Sequence, residues 1–155
     1  MKVTLAKIKS LSGKYQPLAA MNAKYLWLST PYSSYRMEKD SISADLQTAG
    51  FRLTYSGYPY KLWDEFSPEQ KELYKKPLQL IYSDTTLFYV YKIGKFYVKI
   101  NMQFVPDDTA YMKAKKGAPH KSPIFCFNSE NELIAVVMPI QLPQDAAREK
   151  YAPHK

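Results

Sequence analysis

The chain contains one cysteine, Cys126, and two histidines, His120 and His154, which are residue types that often bind metals or act as nucleophiles and bases. The histidines lie far apart in a predicted loop and tail, and no second cysteine accompanies them. We therefore expect no structural zinc site. Residues 124–127 have the composition of a strand, so we expect Cys126 to be a buried, unreactive thiol, with a nucleophilic cysteine as the alternative.

Glu69-Gln70-Lys71 has the Glu-x-Lys spacing of a common nuclease motif, and Asp64 upstream could supply a second carboxylate. That chemistry requires carboxylates that lie on strands around a divalent cation. Here Ser67-Pro68 precedes Glu69 in the pattern that begins a helix, and Gln70 can complete a capping box. A carboxylate in the first turn of a helix is stabilised by the helix dipole, so we expect Glu69 to have a structural role.

Other catalytic motifs are also missing from the sequence. Five glycines are too few and wrongly placed for a phosphate-binding loop or a dinucleotide fingerprint. The acidic pairs Asp107/Asp108 and Glu130/Glu132 lie in predicted turns, where such residues form local hydrogen bonds. With no nucleophile elbow either, we expect a protein that is not an enzyme and binds no metal or cofactor.

The segment Leu87–Phe104 predicts a β-hairpin, because aromatic and β-branched residues alternate with lysine and amide side chains around Gly94. A two-residue turn would place Tyr89 and Tyr91 on the core face. A three-residue turn would instead gather Tyr89, Tyr91, Tyr97 and Lys99 on the solvent face as a stacking platform. The sequence leaves both arrangements open.

The net charge is +8 and the isoelectric point is near 9.4, which favours a polyanionic partner such as nucleic acid or an acidic protein surface. Charge that serves only solubility is the alternative. Arginine occurs only at positions 36, 52 and 148, so lysine supplies nearly all the positive charge. Since base reading favours arginine, we expect contacts to phosphate without sequence specificity.

The candidate nucleic-acid-binding residues are lysines and tyrosines of the hairpin and of the basic run Lys113–Lys121. For the basic run, a solvated helix end is an equal alternative. The full set is Tyr89, Tyr91, Lys92, Lys95, Tyr97, Lys99, Lys113, Lys115, Lys116 and Lys121.

An aromatic loop precedes the capping sequence and contains Tyr58, Tyr60 and Trp63. These side chains could bind a protein partner or cover the edge of the core.

The remaining pattern predicts an α+β domain over residues 1–142, with an antiparallel sheet of about five or six strands and two or three helices packed to one side. Residues 143–155 are expected to form a short helical or disordered basic tail. Beyond the hairpin, strands are predicted at 3–8, 51–56, 78–83, 123–127 and 133–142, helices at 17–28, 38–49, 67–76 and 107–116, and a turn at 30–35. The N-terminus has no apolar run typical of a signal peptide or membrane span, so a cytoplasmic location without membrane contact is expected.

Val137-Met138-Pro139-Ile140-Gln141-Leu142, at the end of the last predicted hairpin, resembles the final strand of bacterial DNA sliding clamps. Asn22-Ala23-Lys24-Tyr25-Leu26 is similar to a helix start in the last domain of the same family. The resemblance implies that Val137, Met138, Pro139 and Ile140 form an apolar pocket for partner peptides and that lysines face DNA. The alternative is a core or edge strand that ends at a proline.

Taken together, the sequence predicts a non-enzymatic DNA-associated accessory protein that binds through lysine-phosphate contacts and exposed tyrosines. The alternative is a protein-protein interaction module, such as an inhibitor or adaptor of a larger complex. The oligomeric state is left open.

Overall fold

The computed structural model describes residues 1–21, 25–38, 45–54, 71–74, 77–115 and 117–151, which form an α+β fold. Two helices are present in these ranges: α1 (Leu5–Ser12) and α2 (Gln144–Tyr151). The strands are β1 (Leu18–Met21), β2 (Tyr25–Thr30), β3 (Ser33–Glu38), β4 (Arg52–Thr54), β5 (Lys71–Tyr74), β6 (Gln79–Ser83), β7 (Thr86–Ile93), β8 (Phe96–Asn101), β9 (Tyr111–Lys115), β10 (Ile124–Phe127) and β11 (Leu133–Val137). A 3-10 turn, Met102–Phe104, follows β8. Neither α-helix of the described ranges is long and apolar enough to cross a lipid bilayer.

The strands form two sheets. The larger has eight strands in the order β4-β1-β2-β3-β11-β10-β9-β5, and the smaller has three in the order β6-β7-β8. All pairs are antiparallel except β1 with β4. The prediction of a single sheet with five or six strands is therefore wrong, although the α+β class is confirmed.

The main core lies between one face of the large sheet, helix α1 and the hairpin β7-β8. Apolar residues from all three meet there, including Leu28 of β2, Ile8 of α1 and Val98 of β8, each fully buried. Helix α1 packs against β2. The hairpin is therefore held as a layer on the large sheet, with its turn at the exposed end.

The Tyr35 side chain connects the large sheet to the segment that follows β8. Its ring is buried in the main core, and its hydroxyl donates a 2.6 Å hydrogen bond to the carbonyl oxygen of Phe104. Burial raises the pKa of the Tyr35 phenol, so the group remains a donor at physiological pH.

Several predicted elements have a different structure. Residues 3–8 were expected to be a strand but contribute to α1, because the Thr4 side chain accepts a hydrogen bond from the N–H of Lys7 and caps the helix. Residues 17–28 were expected to be a helix but belong to β1 and β2. Strand β2 is buried on both faces, so its apolar residues show no alternation that a sequence pattern could reveal.

The predicted helix 107–116 is also wrong, since Tyr111–Lys115 is β9, in which buried Met112 and Ala114 alternate with half-buried neighbours. Lys71–Tyr74 is β5 and not part of a helix, and the capping residues 67–70 lie outside the described ranges. Within the predicted helix 38–49, Glu38 ends β3, residues 39–44 are not described, and 46–50 form turns.

The predicted turn at 30–35 is limited to Pro31-Tyr32, because β3 begins at Ser33. The strands predicted around residues 52–54, 79–83, 124–127 and 133–137 are confirmed, as is the hairpin. The tail that was expected to be helical or disordered forms α2, and residues 152–155 lie beyond the described ranges.

Candidate functional site

The turn of the hairpin β7-β8 contains two residues, Gly94 and Lys95. Ile93 pairs with Phe96 and Lys92 pairs with Tyr97, which excludes the three-residue alternative. Gly94 has a φ of 61°, a conformation that glycine adopts without a steric penalty. This register decides which face of the hairpin each tyrosine occupies.

Tyr89 and Tyr91 lie on the face that packs against the large sheet. Tyr91 pairs with Val98 and is 4% exposed, whereas Tyr89 is half-buried and its ring centroid lies 6.2 Å from that of Tyr91. Burial raises the pKa of Tyr91 to about 12, so its hydroxyl stays protonated at neutral pH. The expectation that Tyr91 is exposed for stacking is therefore wrong.

Tyr97 lies on the opposite face of the hairpin and is also buried, at 2% exposure, because helix α2 covers it. The ring of Tyr151 lies 6.0 Å from the Tyr97 ring. The Gln144 side chain accepts a hydrogen bond from the N–H of Tyr97 and donates one to its carbonyl oxygen, each 2.8 Å long. A stacking platform of exposed tyrosines is thus absent from the described part of the hairpin.

The end of the hairpin carries a compact basic surface, which we call the tip patch: Lys95, Phe96, His120 and Lys121. The imidazole ring of His120 stacks on the ring of Phe96, with centroids 4.6 Å apart and an interplanar angle of 17°. The Lys95 ammonium lies 5.5 Å from the centroid of the same Phe96 ring. Through this stack, the loop after β9 reaches the turn of the hairpin, so lysines 26 residues apart in sequence come together.

Electrostatics at His120 favour the neutral imidazole. Burial lowers the pKa of His120, and the positive charge of Lys121 lowers it further. Nδ1 is shielded from solvent, and no group in the described ranges hydrogen bonds to it. An anion at the tip patch would offset the repulsion between Lys121 and a protonated imidazole, so anion binding and protonation of His120 should favour each other.

Lys92 and Lys99 lie on the hairpin face that α2 covers. Lys92 is exposed, and its ammonium lies 5.9 Å from the Tyr97 ring. Lys99 is half-buried with its ammonium 4.7 Å from the Phe88 ring. Lys92 is close to the tip patch along the chain, so a ligand at the turn can reach it.

Lys113 and Lys115 of the basic run do not form one surface with the hairpin. Lys113 is half-buried in β9, and its ammonium lies 5.8 Å from the rings of both Tyr111 and Phe127. Those rings belong to a second apolar cluster, on the face of the large sheet away from α1. Lys115 projects to the same side of β9, and Lys116 lies outside the described ranges. Among the described lysines of the basic run, therefore, only Lys121 is placed at the tip patch.

The predicted apolar pocket for partner peptides is not formed by Val137. This residue is 1% exposed and lies in β11, an interior strand between β3 and β10, which confirms the alternative of a core strand. Met138, Pro139 and Ile140 are half-buried, and the N–H of Ile140 donates a 2.8 Å hydrogen bond to the carbonyl oxygen of Lys99.

Two further predicted groups can be placed only in part. The aromatic loop with Tyr58, Tyr60 and Trp63 lies outside the described ranges, as do residues 22–24 of the segment that was similar to a helix start. Tyr25 and Leu26 of that segment begin strand β2, so they are not helical.

A cleft of about 720 Å³ lies beside the hairpin, on the side opposite the turn. Tyr89, Tyr91 and Met102 line it together with the segment between β8 and β9, and Lys7 lies at its edge. Asp107 forms an ion pair with the amino group of Met1 at this cleft. Its charges are therefore of both signs, unlike those of the tip patch.

Acidic side chains gather around Arg36, near the end of the β10-β11 pair where Phe127 pairs with Leu133, whereas the loop that carries His120 leads into the other end of this pair at Ile124. The guanidinium of Arg36 lies 3.4 Å from the carboxylate of Glu132 and 4.4 Å from the centroid of the Tyr25 ring. A hydrogen bond from Asn128 is the main cause that lowers the pKa of the Glu132 carboxyl, with further contributions from Glu130 and Arg36. Glu38 completes this cluster, so the described charges are separated between two regions of the surface.

Cys126 is fully buried, as predicted, and burial raises the pKa of its thiol to about 12. A thiol that stays protonated is a poor nucleophile. In the part of the chain that the structure describes, no three histidine, cysteine, aspartate or glutamate side chains are grouped as metal ligands would be.

No protein-family model, no curated protein and no solved structure matches this chain. The tip patch therefore has to be interpreted from its own geometry. The sequence pattern identifies the two lysines of the patch, Lys95 and Lys121, and the adjacent Lys92, but not Phe96 and His120, which complete the patch. The only local pattern near His120 is its position beside Lys121, and nothing in the sequence pairs it with Phe96.

Proposed function

We propose that the protein is a non-enzymatic nucleic-acid-binding protein that contacts the phosphate backbone through the tip patch and the adjacent Lys92. The observation that carries this proposal is the Phe96–His120 stack, which joins two lysine-bearing segments at the supported end of a hairpin. Lysine is suited to this role because its ammonium is a compact charge that attracts phosphate without a requirement for bidentate geometry.

The charge distribution supports the same proposal. The chain has a net charge of +8, and the described acidic cluster around Arg36 lies towards the opposite end of the β10-β11 pair from the loop that carries His120. A polyanion would therefore approach the basic end of the molecule with little local repulsion. Since arginine is absent from the patch, the proposed binding is independent of base sequence.

The tyrosines have a different role from the one that the sequence suggested. Tyr91 and Tyr97 are buried and support the hairpin, so the proposed contact is electrostatic and does not depend on stacking of bases on these rings. Salt dependence is then the most direct measure of the interaction.

The experiment is fluorescence polarisation with labelled single- and double-stranded DNA between 50 and 200 mM salt. Three exposed lysines that each neutralise one phosphate give a slope of log K against log salt of about −2.7 on duplex DNA. The affinity should then fall about 40-fold over this range on duplex DNA and about 20-fold on single-stranded DNA. The double variant Lys95→Gln/Lys121→Gln should lose about two-thirds of the slope.

The matched control is Lys2→Gln/Lys14→Gln, which removes the same charge from exposed positions outside the patch. It should retain nearly the full slope. Equal losses in both double variants would refute a localised patch, and absence of binding by the unmodified protein at 50 mM salt would refute the function itself.

A further inference from the structure

Strand β6 presents a row of large apolar side chains to solvent. Leu78, just before the strand, is 49% exposed, Leu80 is 55% exposed and Tyr82 is 75% exposed. Leu80 and Tyr82 alternate within β6, so their side chains project from one face of the three-stranded sheet. Leu78 lies before the strand, and its N–H donates a 2.7 Å hydrogen bond to the carbonyl oxygen of Val90. The same face of the sheet packs against the large sheet at Tyr91 and Val98, but at β6 it is exposed to solvent.

The outer edge of β6 is also free within the described ranges, because β6 pairs only with β7. Ser83 and Thr86 close a two-residue turn, so residues 79, 81 and 83 hydrogen bond to β7. The N–H and C=O groups of Leu80 and Tyr82 then point away from β7, towards the free edge.

The opposite edge of the same sheet is protected. The Gln144 side chain hydrogen bonds to the backbone N–H and C=O of Tyr97, and the N–H of Ile140 hydrogen bonds to the carbonyl oxygen of Lys99. Proteins commonly protect free edges with such contacts or with charged residues. Residues 77–83 contain no charged side chain, although the chain as a whole has a net charge of +8. Among the described residues, the β6 edge thus has Pro77 at its start but no charged side chain and no covering segment to prevent strand pairing.

We propose that β6 pairs antiparallel with β6 of a second copy of this chain, about a twofold axis at Leu80. In this register Leu80 lies opposite Leu80 of the second copy, and Tyr82 extends towards Leu78 of the second copy, whose own N–H stays bonded to Val90. Leu80 and Tyr82 of each copy then share one face of a continuous six-stranded sheet. A twofold contact of this kind is closed, so assembly stops at the dimer.

A second copy is favoured as the occupant for two reasons. The uncharged strand meets an identical uncharged strand, so the two positively charged chains have no like charges at the pairing edge. The contact area is also of suitable size. With large side chains of on the order of 200 Å², the exposed fractions set an upper bound of about 350 Å² per copy, which together with the backbone places the contact at the small end of specific interfaces and predicts a weak, concentration-dependent dimer.

The first experiment uses disulfide formation to test the register. Leu80→Cys places two thiols opposite each other across the axis, at a separation that a disulfide can span. Ser83→Cys is the matched control on the same strand, where the two thiols would be about 20 Å apart. Cys126 does not interfere because it is fully buried. Under mild oxidation we expect a covalent dimer of Leu80→Cys and little of Ser83→Cys.

The second experiment is sedimentation equilibrium of the unmodified protein across a range of concentrations. We expect a mass that rises from one chain to two and no further. Leu80→Lys should remain monomeric, whereas Gln79→Lys adds the same charge on the other face of β6 and should still dimerise. Circular dichroism checks that both variants are folded, which these exposed positions allow.

A monomer at every concentration, assembly beyond two chains, or equal cross-linking of both cysteine variants would overturn the proposal. Each of these outcomes is independent of DNA binding, which involves the other end of the hairpin.

Discussion

Truncation of Gln144 to alanine should destabilise the protein by about 2 kcal/mol. The Gln144 amide makes three hydrogen bonds: it accepts from the N–H of Tyr97 at 2.8 Å, and it donates to the carbonyl oxygens of Tyr97 at 2.8 Å and Leu142 at 3.0 Å. Each such bond contributes about 0.5–1.5 kcal/mol net, and water can replace part of the loss because Gln144 is half-buried.

The assay has a global and a local part. Chemical denaturation followed by circular dichroism gives the change in the free energy of unfolding, and a loss of ~2 kcal/mol corresponds to a decrease in Tm of about 4–8 °C. Hydrogen exchange at the Tyr97 amide reports the bond itself. Its protection should fall in Gln144→Ala, while the exposed control variant Glu149→Ala on the same helix should leave both measurements unchanged.

Gln144→Glu provides a second check, because a carboxylate can accept from the Tyr97 N–H but cannot donate to the two carbonyl oxygens. We expect a larger loss at pH 7 than for Gln144→Ala, with recovery below pH ~4, where the carboxyl group gains a proton that it can donate. A change of less than ~0.5 kcal/mol in Gln144→Ala, with unchanged Tyr97 protection, would refute the role of Gln144 as the cap of the β8 edge.

Two further predictions concern the turn before β7 and the tip patch. Asp84 and Thr85 have φ values of 47° and 69°, so Thr85→Gly should relieve strain and raise the stability by about 0.5–1 kcal/mol in thermal unfolding. A lower Tm would contradict this, and Thr86→Gly, within β7, should destabilise. Because the pKa of His120 is lowered in the folded state, its contribution to stability should be complete above pH ~6.5 and be lost as pH falls through the folded pKa. DNA affinity should rise from pH 7.5 to 5.5, and His120→Gln should remove this rise whereas His154→Gln should not.

Local sequence patterns were sufficient for residues 87–104 and 124–137, because strand-forming residues and turn residues agree with the final pairing, although β10 and β11 are buried on both faces. The same reasoning failed for β1 and β2, whose apolar residues also fit a helical spacing, and for α1, whose apolar spacing also fits a strand. For β9, alternation of Met112 and Ala114 with lysines was present, but the nearby aspartates favoured a helix start.

For the candidate site, the sequence predicted the types of the binding residues but not their arrangement in space. The sequence identified Lys92, Lys95 and Lys121, but the distance between them depends on the Phe96–His120 stack, which joins residues from two separate segments. Exposure of the tyrosines also depends on long-range structure, since Tyr97 is buried by α2, a helix that begins 47 residues after it in the sequence.

By itself, the sequence determined the hairpin, the excess of lysine, the buried Cys126 and the lack of recognisable catalytic motifs, because these are properties of residue type and local periodicity. Only the tertiary structure decided the two-residue turn, the separation of the lysines into a tip patch and a second face, and the edge of β6 that pairs with no described strand. The physical reason is that burial and strand pairing depend on which distant segments cover each face and edge, and local alternation carries no information about those partners.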